Sequence, residues 1–453
     1  MKKTYLFCAL VSLTVIVSCK KDYNQEKPIN KTLSPATNTY ASDNIRNYFA
    51  LMCTITKSTK GFFPPQAARA YGYVGIAAYE ASRLGIPGAL SLAKQLNGLT
   101  LLPEPGSGLK YNWAISSNAA IAEMMRKMFE LKISPANLNI IDSVETVNLN
   151  FFSKGEDQSV IDRSVQYGKA ITAGLYLSST TDGGHQSYLD PFQLPYTLPT
   201  NPGSWIPTGV ITTPIAPYWG NNRPFLNNDV NVIGTVAPLE FSTDTSSAFY
   251  KQAMAVYVKV KNNTSDQIEI TKFWADDPFN TCTPAGHTFN ILIQLLKENN
   301  ATLEKASVAF AKLSIAENDA FIGCWKGKYQ YNMIRPVSYI KKYIDPTFST
   351  VIGTPPFPSY CAGHAYESGA ASMIFTNLFA NSSGNYDFTD YSQLQYGFTA
   401  RHFSNFNDMA LECANSRYYG GIHYLLDTNE GIKQGKIVGD NVNKLIIWPI
   451  SVK

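Results

Sequence analysis

The sequence is poor in charge. Charged side chains make up 16% of its 453 residues, and 38 Lys and Arg against 34 Asp and Glu leave a formal net charge of only +4. Beside 45% hydrophobic residues, that is the balance of a globular chain; a disordered one carries more charge and less apolar content. The basic residues are dispersed, and nucleic-acid binding, which calls for a concentrated basic stripe, is excluded as the expected role. Long apolar runs are missing too. Past the N-terminus no stretch reaches the roughly 18 unbroken apolar residues of a membrane span, so no transmembrane helix is expected. Strand-like alternation is scarce, and no short-period repeat is evident.

What is present begins at the N-terminus. Lys2 and Lys3 precede an apolar run from Tyr5 to Val17, then Ser18-Cys19. A basic start, a short apolar stretch and a small residue make a secretory signal. Ile16-Val17-Ser18-Cys19 resembles a bacterial lipobox, which makes residues 1–18 a lipoprotein signal peptide and Cys19 the lipidated N-terminus. A plain signal peptide with an incidental cysteine is the alternative. The polar stretch that follows makes 19–42 a tether. The chain is thus expected to be exported and held on a bacterial membrane, at its periplasmic face or the cell surface, through lipid alone. With Cys8 and Cys19 set aside, Cys53, Cys282, Cys324, Cys361 and Cys413 remain. An odd number in an oxidising compartment leaves at least one thiol free or paired between chains.

Residues 43–453 are expected to form a single all-α domain, two packed helical bundles with a long irregular Pro/Gly-rich segment. Apolar spacing predicts helices over Asn44–Lys57, Pro64–Ser82, Asn112–Leu131, Pro135–Phe152 and Asp157–Leu177. Thr180–Thr245 shows little periodicity and reads as a functional loop or a cover over a site; a linker between two domains is the alternative, but Trp205, Trp219-Gly220 and Pro224-Phe225 suggest packing. Helices are predicted again over Ser246–Val260, Asp266–Trp274, His287–Glu298, Thr302–Tyr331, Gly363–Phe379, Tyr391–Ala414 and Ile422–Ile447. Gly431, Gly435 and Gly439 recur on one face of the last helix and predict close approach of a neighbouring helix.

Three segments carry chemistry. In the first, Lys328 and Arg335 are seven residues apart, nearly two helical turns, and are expected on one face. Pro336 places Arg335 near a helix end. Two converging cations suit a multiply charged anion; a solvated basic face, with Lys326, Lys341 and Lys342 nearby, is the plainer reading. In the second, Phe357-Pro358-Ser359-Tyr360-Cys361-Ala362-Gly363-His364 feeds a helix start, where free amides and the dipole favour an anion. Gly363 admits close approach to the backbone. His364, its pKa lowered by the dipole and cations, suits a neutral acid/base; a capping loop with a structural histidine is the alternative. In the third, Ser416-Arg417 precedes Gly420-Gly421, His423 and Asp427. An aspartate four residues on fixes the imidazole tautomer and frees the other nitrogen to attack or ligate, unless the pair is only a surface contact. Together, three cations, two histidines and a helix start can surround a tetrahedral oxyanion.

This order, Lys-x6-Arg-Pro, a Pro-Ser-Gly-His-like segment, then Ser-Arg-x5-His-x3-Asp, resembles the vanadium haloperoxidase and type 2 phosphatidic acid phosphatase superfamily over about 270–445. The Trp205–Phe225 segment is similar to bacterial haloperoxidase-like lipoproteins. The resemblance implies bundles of the vanadium chloroperoxidase type. It implies that Lys328, Arg335, Arg417 and the Gly363 amide bind the oxyanion, that His364 is the acid/base and that Asp427 orients His423. His423 would be the axial ligand of vanadium, bound as vanadate, or the nucleophile of a phosphatase. Phe273-Trp274-Ala275-Asp276-Asp277 resembles the segment whose aspartate pairs with the third-motif arginine, so Asp277 would hold Arg417. Trp325 and Phe357 fall where pocket aromatics are expected. One departure stands out: Ala362 replaces the motif serine, and losing such a donor typically costs about 10²–10³ in rate.

The motifs are common to both branches of the superfamily and do not separate them; the reading the resemblance favours is a haloperoxidase that oxidises halide with hydrogen peroxide at vanadate. The alternatives are an acid phosphatase acting on a phosphate ester through a phosphohistidine at His423, with no cofactor, or a non-catalytic oxyanion-binding surface lipoprotein. Chain length, Trp325, Phe357 and the Asp277 segment favour the first. A free thiolate beside a source of hypohalous acid would be oxidised; a Cys282–Cys361 disulfide is therefore expected.

Overall fold

A computed structural model describes residues 34–230 and 236–447. The signal peptide, Cys19 and the tether up to residue 33 lie outside the described residues. The packed chain begins ahead of residue 43: Thr37 and Ser42 are buried, and Ala41 bridges Thr302.

The architecture is helical. The first five helices are α1 (Asp43–Ser58), α2 (Pro64–Ser82), α3 (Trp113–Phe129), α4 (Pro135–Phe152) and α5 (Gln158–Ser179). Their starts follow from local chemistry. Pro64 and Pro135 open helices where no amide partner is lost, and the side chains of Asn112 and Ser134 cap α3 and α4 by accepting from free amides. After the short α6 (Asn227–Val230) come α7 (Ala248–Lys261), α8 (Ser265–Phe273), α9 (Thr283–Glu298) and α10 (Leu303–Tyr331). The chain closes with α11 (Pro336–Tyr343), α12 (Gly363–Phe379), α13 (Phe406–Tyr419) and α14 (Leu425–Asn443). The long helix α10 is buried along most of its length. It packs on α2 on one side and on α12 and α14 on the other, joining the two bundles.

The three glycines of α14 set the spacing of the second bundle. A β-carbon at Gly435 would lie 1.9 Å from the Tyr366 carbonyl oxygen, and one at Gly439 2.5 Å from that of Ala370. No side chain fits there, so α14 lies directly on the backbone of α12. The irregular segment covers α10, as expected of it: Trp205 N donates to the Asn332 carbonyl (2.7 Å), and Gly220 abuts the Lys326 backbone.

Three expectations are corrected. Residues 391–414 are not one helix. Strand β1 (Phe388–Asp390) pairs antiparallel with β2 (Arg401–Phe403), and α13 starts only at Phe406, capped by Asn405. The apolar spacing there belongs to an aromatic cluster of Phe388, Phe403 and Phe406. Lys328 and Arg335 do not share a helix face. The chain leaves α10 at Asn332 (φ 48°), and Arg335 precedes Pro336, the first residue of α11. Cys282 bonds Cys53, not Cys361: α9 packs on α1 and brings their Cα atoms to 4.9 Å.

The Cys53–Cys282 bond closes a loop across a sequence separation of 229. Cys53→Ser is expected to lower conformational stability by about 2–5 kcal/mol, read from the urea or thermal midpoint. A variant as stable as its parent under non-reducing conditions would mean that the bond does not form.

Candidate active site

The motif residues converge where α10, α12 and α14 meet, although they come from segments up to 99 positions apart in the chain (Lys328 to Asp427). Lys328 lies on the last turn of α10, fully buried. Its Nζ donates to the carbonyls of Pro358 (2.9 Å), Ser359 (3.1 Å) and Cys361 (2.5 Å), so all three ammonium protons hold the loop that leads into α12. Arg335 donates through Nε to the Phe357 carbonyl (2.9 Å) and through Nη1 to the Ile422 carbonyl (2.8 Å) and His423 Nε2 (2.9 Å). It therefore ties all three predicted segments together. Arg417, on the last turn of α13, donates through Nη1 to the Trp274 carbonyl (2.7 Å).

Phe357 and Trp325 wall this cluster, their ring centroids 4.9 Å apart. Lys328 Nζ lies 4.9 Å from the Phe357 centroid and the Arg335 guanidinium 5.1 Å from it, a cation–π arrangement around two buried cations. A β-carbon added at Gly363 would meet only the Trp325 ring at 3.6 Å and Cys324 Sγ at 4.0 Å. The start of α12 thus faces this wall, where the Gly363 and His364 amides have no helical acceptor.

His423 sits just before α14 rather than on it, after the turn at Gly421 (φ 77°). Asp427, one turn into the helix, accepts from His423 Nδ1 (3.1 Å), the Ser359 hydroxyl (2.5 Å) and the Tyr424 amide (3.3 Å). The Asp427 contact fixes the proton on Nδ1 and leaves the lone pair on Nε2, facing Arg335. Ser359 therefore serves the aspartate and does not stand in for the motif serine. Ala362 turns its methyl into a small apolar cluster with Ala365, Ala410, Ala414 and Ile432.

Charge is not balanced here. Burial pushes Lys328 down to about 8 and Arg335 down to about 9; Arg417 is lowered as well, again chiefly by burial. Burial raises Asp427 to about 6 despite the Ser359 hydroxyl and Lys328 beside it. His423 is held well below the usual histidine range by burial and then by Arg335 and Lys328, and His364 by burial and then by Arg417, His287 and Lys328. Both imidazoles are neutral. Among the described residues, four buried polar atoms here lack a partner: Arg335 Nη2, Arg417 Nε, His364 Nε2 and Asp427 Oδ1. Three are nitrogens of cationic or proton-bearing groups, and such orphaned atoms are costly unless a ligand meets them.

Asp277 lies close enough to Arg417 for their charges to interact but makes no ion pair with it within 4.0 Å, so the expected clamp is not formed; burial raises the Asp277 carboxyl more than Arg417 lowers it. The Trp274 carbonyl holds Arg417 instead. Behind it lies a group that the sequence did not disclose. His287 is fully buried between Asp276 (Nδ1 to Oδ2, 2.9 Å) and Asp390 (Nε2 to Oδ2, 3.1 Å), and the Trp274 ring stacks on it at 4.5 Å. The thiols near the site are quiet. Burial raises Cys324 to about 11 and Cys361 well above the usual thiol range, so both stay protonated and poorly nucleophilic.

Residues 308–347 and 343–448 match the VCPO second helical-bundle domain. Among solved structures, the chain is similar to the first bacterial vanadium-dependent iodoperoxidase: 31% identity over 94% of this chain and 99% of that one, TM-score 0.81. The holo form of a bacterial vanadium-dependent chloroperoxidase matches at 14% identity over 86% of this chain and 93% of that one, TM-score 0.62. Its apo form matches at 14% over 84% and 93%, TM-score 0.61. At that identity the likeness is one of fold. No curated protein matches.

Burial alone would pull His287 down, but Asp276 and Asp390 lift it to about 10. Its folded pKa therefore stands above the unfolded value, so its contribution is full below about pH 6.5 and is lost as pH rises through 10. His287→Gln should lower the melting temperature at pH 6, with the deficit shrinking above pH 10. An equal deficit at both pH values would show that the imidazole is not charged in the fold.

Proposed function

We propose, for a chain that belongs to the vanadium haloperoxidase superfamily, that the cluster around His423 binds vanadate and oxidises halide with hydrogen peroxide. One observation carries this reading. Lys328, Arg335 and Arg417 are all buried, none of them forms an ion pair with a carboxylate among the described residues, and Arg335 Nη2 and Arg417 Nε are left without acceptors. A tetrahedral, multiply charged oxyanion fits that donor set; a neutral ligand or a cation does not.

Arg335, Arg417 and the free amide of Gly363 would hold the oxyanion's oxygens. Lys328 would supply charge and fix the loop, since its protons already serve three carbonyls. His423 Nε2, its lone pair set by Asp427, would be the nitrogen that ligates vanadium. Bound vanadate supplies a Lewis-acidic centre at which hydrogen peroxide becomes reactive towards halide. His364, neutral and with Nε2 free, would take up and return protons. Trp325 and Phe357 exclude water and so strengthen every charge interaction inside. Iodide is the halide we assign first, because the relative that matches over nearly the whole chain is an iodoperoxidase.

The sequence supports export and a lipid anchor at Cys19, and the Cys53–Cys282 bond supports an oxidising destination.

The test is a paired assay on the purified protein. Iodide oxidation with vanadate and peroxide is expected, and aryl phosphate hydrolysis is not; the reverse result would make the protein a phosphatase using the same donors. His423→Ala should abolish vanadate binding by titration calorimetry as well as turnover. His364→Ala should still bind vanadate, with turnover about 10²–10⁴-fold lower. Full vanadate binding by His423→Ala would remove the assigned ligand.

A further inference from the structure

Away from this cluster, the surface holds a cavity of about 530 Å³ between the end of α1, the turn joining α3 to α4 and the irregular segment. Its floor is aromatic, with Phe63 5.9 Å from Phe192 and 5.4 Å from Phe279 between ring centroids. Among the described residues Lys57, Lys60 and Lys132 line it, and no carboxylate does. Among the described residues none of these lysines forms an ion pair; Lys57 instead lies 4.7 Å over the Tyr396 ring.

We propose that this cavity binds an anionic aromatic molecule, an aryl carboxylate or sulfonate. Two terms select that class. The apolar floor favours a flat ring by the area it takes from water. The lysines bring positive charge to the lining itself, while the carboxylates nearby, Glu130 beside Tyr188 among them, stay outside it. A neutral arene gains only the first term and an inorganic anion only the second, which salt screens. The cavity is joined to the buried site through two backbone segments. Phe279 belongs to the turn in which the Asp277 carbonyl accepts from the Asn280 and Thr281 amides. On the other wall, the Pro191 carbonyl accepts from Ala216, and the adjoining Ile215 carbonyl accepts from Trp325 Nε1 (3.3 Å) and the Tyr329 hydroxyl (2.6 Å). A ring held there lies against Phe279 and Pro191, one hydrogen-bonded step from the segments that flank the candidate centre. The proposal concerns binding and holds whatever reaction the centre performs.

The experiment is calorimetric titration of the full chain with 2-naphthalenesulfonate, 2-naphthol and sulfate. The sulfonate should bind at least several-fold tighter than either other probe and weaken with salt. Lys60→Glu combined with Lys132→Glu should weaken the sulfonate by roughly tenfold or more while leaving vanadate affinity unchanged. Phe279→Ala should weaken the sulfonate and the naphthol alike. Equal affinity for sulfonate and naphthol, or sulfonate binding indifferent to the lysine substitutions, would overturn the proposal.

Discussion

The second bundle is organised by the burial of three cations that have too few anions to meet them. An ammonium or guanidinium taken out of water must find acceptors, and here the acceptors are backbone carbonyls. Lys328 gathers those of Pro358, Ser359 and Cys361, Arg335 those of Phe357 and Ile422, and Arg417 that of Trp274. Irregular chain is thereby fixed at three places, and the loop before α12 is held at its mouth. Carbonyls orient the cations but do not cancel their charge. Burial lowers the proton affinity of all three, and the charge left uncancelled favours a bound anion. An anion that binds only the folded state then stabilises the fold as well.

Packing makes this convergence possible. The glycine face of α14 lies against the α12 backbone, which sets the start of α12 beside His423 and Asp427. Alanines at 362, 365, 410 and 414 line the remaining gap. In that setting the methyl of Ala362 belongs to the helix–helix contact, and the donor set is carried by arginine and backbone nitrogen.

Much of the fold was legible because local rules agreed with one another. α4 and α12 run over the residues the sequence predicts, where a proline or a loop-to-helix switch coincides with apolar periodicity. α11 went unseen because Pro336 reads as a stop to one helix when it is also the start of the next. The β-hairpin before α13 was hidden by aromatics whose spacing mimics a helix face. The motif residues were legible through their order and spacing. The His287 cluster was not: Asp276 and Asp390 lie 11 and 103 positions from it, and neither separation carries a local signal. Cys282 pairs across 229 positions, and closeness to the site suggested a nearer but wrong partner.

That pairing bears on how the protein is made. Cys282 follows the turn carrying Asp276 and Asp277, so the bond fastens to α1 the stretch whose Trp274 carbonyl holds Arg417. A chain produced in a reducing cytosol would fold with this fastening open. Preparations from reducing and oxidising hosts would then share one sequence and one helical content but differ in how firmly Arg417 is held, and the order of that arginine would become a record of the compartment in which the chain folded.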